Sequence, residues 1–217
     1  AVIDGGGFVI ILASASPRRQ ELLQQIGCAF QVVVSHAEEE KGQHIDPEEL
    51  VQGNAHRKAA AVAAGHPEHP VLGADTVVAL DGHIYGKPRN ADEACQMLAR
   101  LSGRTHRVST GIALVWKDTC WRAVETTEVT FAPMSAAEIA AYAATGEPLD
   151  KAGAYAVQGR AAAFIEGIRG SYSNVVGLPL HCLCMLARKA TIDLYGADGK
   201  GSSTDGTAAR ETADKRP

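Results

Sequence analysis

Residues 70–80 read PVLGADTVVAL, an apolar run of strand length interrupted by Asp75 and Thr76. A run without polar alternation belongs to a strand covered on both faces, so this segment demands layers above and below it. FVIILAS at 8–14 has the same character, and AFQVVVS at 29–35 predicts a third strand. Asp81-Gly82 is a hairpin signal directly after the first run. The carboxylate in the middle of that run is costly to bury, so it requires either a partner or a function.

Helix signals fall between these strands. Pro17 suits the first position of a helix over 17–27 behind an N-cap at Ser16, with Gly27 as its stop. Asp46, Pro47 and Glu49 open a long helix to about Gly65, and Asn90 with Glu93 starts another that ends near Gly103. Two β-rich stretches, 105–116 and 120–131, meet at Lys117-Asp118. Ser135 and Glu138 repeat the capping box for a helix to about Thr145. A Gly-rich loop over 146–159 then leads to a strand near 162–168 and a final apolar helix over 174–190. Strands and helices alternate without strict βαβ regularity, which predicts a central mixed β-sheet with flanking helices, a mixed α/β fold. One domain is expected over 8–190, with 191–217 a polar, disordered tail.

Net charge is −4, which leaves no broad nucleic-acid surface, so any anion site must be local. No apolar run approaches the roughly 18–20 residues that span a bilayer, and the start lacks the basic region of a signal peptide. The five cysteines have no C-x-x-C spacing, which predicts reduced thiols in a cytoplasmic protein. No zinc ligand set and no G-x-S-x-G elbow is present.

Several residues carry possible chemistry. Arg18 and Arg19 stand in a first helical turn, where the macrodipole disfavours cations. Either they are solvated, or an anion sits on the helix start, with Ser14 and Ser16 in the preceding loop. Asp75 reads as a general base or metal ligand, or as a buried carboxylate satisfied by amides or a lysine. The run Glu38-Glu39-Glu40 is either a solvated face or supplies one carboxylate that joins Asp75 to hold Mg²⁺ or Mn²⁺. Lys58 and Lys87, together with the arginines and acids, have the composition of a triphosphate site. Gln158 offers an amide suited to a nucleobase edge, or belongs to a loop that is merely structural.

LASASPRRQELL, KA at 58–59, LGADTVV, GKPRNADEA, LSGRTHRVSTGIAL, EPLDKAGAYAVQG and GSYSNVVGLPL run in order from residue 12 to 180. Together they resemble the Maf family of nucleoside-triphosphate pyrophosphatases. The resemblance implies two lobes around a cleft in an ITPase-like fold, and a homodimer. It implies hydrolysis of a nucleoside triphosphate to the monophosphate and pyrophosphate with Mg²⁺ or Mn²⁺, a house-cleaning activity. By the same resemblance Asp75 is the proton acceptor, and Ser14, Arg19, Glu39, Lys58 and Lys87 form the polar site. Glu39 and Asp75 hold the metal, while Arg18, Thr76 and Gln158 bear on base preference. ADT with VQG resembles the branch acting on dTTP and UTP. The alternatives are a 7-methyl-GTP or broad-specificity pyrophosphatase, or a non-hydrolysing nucleotide sensor that regulates cell division. The sequence departs from the family at AEEE, where many members carry a D-x-D-E-like pattern.

Overall fold

The computed structural model describes residues 9–195. In chain order the elements are β1 (Ile10–Leu12), α1 (Pro17–Gln25), β2 (Phe30–Val32), α2 (Pro47–Ala63), β3 (Val71–Leu80) and β4 (His83–Tyr85). These are followed by α3 (Ala91–Leu101), β5 (Thr105–Trp116), β6 (Thr119–Phe131), α4 (Ala136–Ala143), β7 (Ile165–Arg169), α5 (Tyr172–Val176) and α6 (Leu180–Lys189). The predicted capping signals set several of these ends. The side chains of Asp46, Asn90 and Ser135 accept backbone amides at the starts of α2, α3 and α4, and Ser135 with Glu138 forms a full capping box. Asp81-Gly82 and Lys117-Asp118 both have positive φ at the two central turn positions, as tight hairpins of this hand require.

The seven strands form one mixed sheet in the order β2-β1-β3-β5-β6-β7, with β4 also on β3. β1 runs parallel to β2 and β3, and the remaining pairings are antiparallel. β5 covers one edge of β3 from Val71 to Ala79. On the other edge, β1 reaches only Leu72 and β4 starts only at Val78. Residues 73–77 of β3 are therefore an open edge inside a sheet, and Asp75 is at its centre.

The two faces of the sheet also change character there. α2 covers one face, where apolar groups gather around Ala55, Ala59 and Val71 on one side of Asp75 and around Leu50, Val51 and Val77 on the other. Backbone approaches backbone here: a Cβ on Gly73 would stand 2.1 Å from the Ala55 carbonyl oxygen, and one on Gly111 would stand 2.4 Å from the Val51 carbonyl carbon. On the opposite face, one core joins Leu72 and Ala74 to α1 and α6, and a second joins Val78 to α3 and α4. Thr76 falls between them. The polar pair in β3 thus occupies the seam between apolar cores on both faces.

Three expectations need correction. The strand expected near 162–168 begins at Ile165, after a 3-10 turn over Arg160–Phe164, because its alanine run has little strand preference. The single helix expected over 174–190 is two, α5 and α6, broken by Gly177 at φ +128° and by Pro179. The polar tail does not begin at residue 191, since Ile192 and Leu194 are buried against the α6 core. The rest of that expected tail, 196–217, lies outside the described residues. No helix among the described residues is long and apolar enough to cross a membrane.

Candidate active site

The open edge of β3 faces a cavity of about 690 Å³, within the range of small-molecule sites. Its walls include Ser14, Arg18, Arg19, Glu39, Lys58, Asp75, Thr76 and Lys87, which come from β3 and five other parts of the chain.

The cationic wall is built on α1. Ser16 takes the expected N-cap position but makes no side-chain cap bond, and the first turn holds no acid. Arg19 is buried, and its planar fork is fully oriented. Nε donates to the Gly177 carbonyl (2.8 Å), Nη1 to Ser14 Oγ (3.1 Å) and Nη2 to Thr76 Oγ1 (3.1 Å). Burial lowers its proton affinity from the ordinary value, opposed by the charge of Asp75. Arg18 is half-buried and donates to the Val176 carbonyl (3.4 Å). The break between α5 and α6 thus has a local purpose, since it turns the carbonyls of Val176 and Gly177 towards the two guanidinium groups.

The acidic wall is built on α2. Lys58 Nζ donates to Asp75 Oδ1 (2.8 Å), to Glu39 Oε1 (2.7 Å) and to the Ala74 carbonyl (3.4 Å). Asn54, one turn earlier, donates to Asp75 Oδ2 (3.0 Å). Burial opposes ionisation of Glu39, but the hydrogen bond and charge of Lys58, with the charges of Lys87 and Arg19, outweigh it and hold the carboxyl below its ordinary range. Both walls therefore meet on adjacent β3 residues, Asp75 towards α2 and Thr76 towards α1.

A family model described as Maf-like protein matches residues 9–190. The chain belongs to the Maf-like family. A dTTP/UTP pyrophosphatase of Symbiobacterium thermophilum is 56% identical over 172 residues, covering 79% of this chain and 89% of that protein. A dTTP/UTP pyrophosphatase of Bacillus cereus is 48% identical over 188 residues, covering 87% of this chain and 98% of that protein. Among solved structures, the Staphylococcus aureus Ham1 protein aligns with a TM-score of 0.43 at 16% identity, over 57% of this chain and 71% of that one.

In this Maf-like protein eight of the nine residues expected in the site line the one cavity. Gln158 does not; it is exposed and outside the wall. A tight turn closed by the Gly159 amide on the Ala156 carbonyl (3.1 Å) sends Val157 into the core and Gln158 outwards. The end of the cavity nearest this loop is instead apolar, formed by Val78, Val108, Tyr155, Ala156 and Val157. Among the described residues no group of three or more His, Cys, Asp or Glu side chains is placed to hold a metal. Glu39 and Asp75 are a pair that share one cation, Lys58. Asn54 was not singled out by sequence reasoning. Its one signal is a poor helix former placed four residues before Lys58, inside a helix that needs no cap there.

Proposed function

We propose that this Maf-like protein hydrolyses dTTP and UTP to the monophosphate and pyrophosphate. One observation carries the reading: Arg19 and the Lys58-bridged carboxylates Asp75 and Glu39 line one cavity. Guanidinium groups on one wall suit phosphate oxygens, and carboxylates on the other suit water and a divalent cation. The pyrimidine preference follows the names of the relatives, and the apolar residues of the cavity lining suit the faces of a base.

In this reading Arg18, Arg19 and the uncapped amides of α1 hold the phosphate chain at a helix N-terminus. Lys87, which lines the same cavity, and Lys58 neutralise the departing pyrophosphate. Asp75 accepts the proton of the water that attacks the α-phosphorus, and that water's oxygen forms the new bond to phosphorus as the bond to the bridging oxygen breaks. Two carboxylates with room for substrate oxygens fit Mg²⁺ or Mn²⁺, hard cations that complete their shell from phosphates and water. Glu39 and Asp75 would hold that ion, which when bound screens phosphate charge and acidifies water. All five cysteines are free, which suits a reducing cytoplasm.

The test is a substrate panel with Mg²⁺, following nucleoside monophosphate and pyrophosphate by ion exchange. dTTP and UTP should give both products in equal amounts. Preferred cleavage of 7-methyl-GTP, or tight binding of dTTP without products, would replace this reading by a different pyrophosphatase or by a nucleotide sensor.

A further inference from the structure

We propose that Asn54 is a positioning residue that sets the geometry of both carboxylates. The inference rests on the reading of Asp75 and Glu39 given above. Asn54 is 2% exposed and lies inside α2, among alanines that are better helix formers. Its side chain fills every hydrogen-bonding position an amide has. Nδ2 gives one proton to Asp75 Oδ2 (3.0 Å) and the other to the Glu40 carbonyl (3.1 Å). Oδ1 accepts the Glu40 amide (2.8 Å) and Arg57 Nη1 (3.1 Å). The reversed amide would set nitrogen against nitrogen and oxygen against oxygen, so one orientation is enforced.

Two consequences follow from that pattern. Asp75 is held from both sides, Lys58 on one oxygen and Asn54 on the other, so the plane of its carboxylate is fixed. The stretch around Glu40 has no strand or helix ladder of its own. Asn54 supplies a substitute by binding both the amide and the carbonyl of Glu40, and Arg57 adds an ion pair to the Glu40 carboxylate. Glu39 is the adjacent residue, so its approach to Lys58 and Asp75 depends on that docking. One side chain therefore ties a loop carboxylate to a strand carboxylate, and this coupling is distinct from touching substrate.

Asn54→Ala removes both arms. Asn54→Asp keeps the acceptor arm to the Glu40 amide and loses both donor bonds, the one to Asp75 and the one to the Glu40 carbonyl. Steady-state rates on dTTP at 15 °C, with the folded fraction from circular dichroism, should show kcat reduced about 100-fold in each variant with KM changed less than about threefold. Hydrogen exchange at the Glu40 amide should quicken at least about tenfold in Asn54→Ala and by less in Asn54→Asp, which keeps the acceptor for that amide. If Asn54→Ala does not fold, Asn54→Asp decides alone. A kcat within about threefold of the parent in a folded variant, or unchanged Glu40 exchange in Asn54→Ala, overturns the proposal. Asp75→Asn is measured alongside. An active Asp75→Asn refutes the general-base reading, whereas parent-like Asn54 variants beside an inactive Asp75→Asn refute only the positioning role.

Discussion

Lys58 reaches from α2 to within 2.8 Å of Asp75 on β3, and the side chains of both are almost wholly shielded from water. The same ammonium holds Glu39 at 2.7 Å. Removing the cation and neutralising one acid are therefore unequal perturbations. Lys58→Met leaves two carboxylates facing each other, and breaking a shielded pair in this way costs about 3–5 kcal/mol. Asp75→Asn leaves Lys58 on Glu39 and keeps an acceptor for Asn54. Asp75→Asn should lower kcat at least about 1,000-fold with Tm within a few degrees of the parent, while Lys58→Met lowers both activity and Tm, the latter by about 6–12 °C. Calorimetry beside a pyrophosphate assay checks both, and equal Tm values for the two variants would contradict the assignment of Lys58 as the shared counter-ion.

Arg19 uses three nitrogens on three acceptors from β3, the loop before α1 and the α5–α6 break. Lysine has the charge without the fork, so Arg19→Lys cannot satisfy Ser14, Thr76 and Gly177 together. The expected result is a loss in kcat/KM for dTTP of about 100-fold or more, with part of it in KM because the cation that meets phosphate is displaced. A parent-like kcat/KM would show that Arg19 is a structural brace only.

The layers and most element boundaries were legible because their signals are local. Capping side chains at Asp46, Asn90 and Ser135 and the two-residue turns at 81–82 and 117–118 act within four residues of themselves. Asp75 stood out because a carboxylate inside an apolar strand conflicts with burial. The open edge of β3 was not legible, since it depends on where two partner strands stop. Asn54 was hidden for a related reason: its four partners are at positions 40, 57 and 75, and only the fold assembles them. Gln158 drew notice because its chemistry suits a base, while the direction of its side chain is decided by the turn at Gly159.

Gly111 lets α2 sit directly on β5, since a Cβ there would come within 2.5 Å of three backbone atoms of Val51 and Gln52. Backbone cannot yield as a side-chain tip can, so Gly111→Ala must lift the helix that carries Asn54 and Lys58. It should cost about 3 kcal/mol or more and lower kcat in the folded fraction. Gly27→Ala is the control, because it meets nothing within 4 Å and suffers only from φ +68°, a cost of about 1–2 kcal/mol. Its kcat should match the parent. Chemical denaturation with rate measurements separates the two, and an undiminished kcat in Gly111→Ala would show that the site tolerates movement of α2.

His106 is buried beneath the second core, with Nε2 2.8 Å from the Tyr155 hydroxyl and its ring edge-to-face with Phe131 and Tyr155. Burial holds its pKa down at about 4, against about 6.5 in an unfolded chain. Above pH 6.5 the ring is neutral in both states and its contribution to stability is complete. As pH falls from 6.5 towards 4, the unfolded chain takes up a proton that the fold refuses, so about 3 kcal/mol of stability is lost over that window. His106→Phe keeps a ring in the cluster and removes the titration, at the cost of the hydrogen bond to Tyr155. The difference in unfolding free energy between parent and variant should therefore favour the parent most above pH 6.5 and narrow or invert by pH 4.5. Urea titrations at four pH values across this range read that difference directly, and a constant offset would show that His106 gains its proton as readily in the fold as outside it.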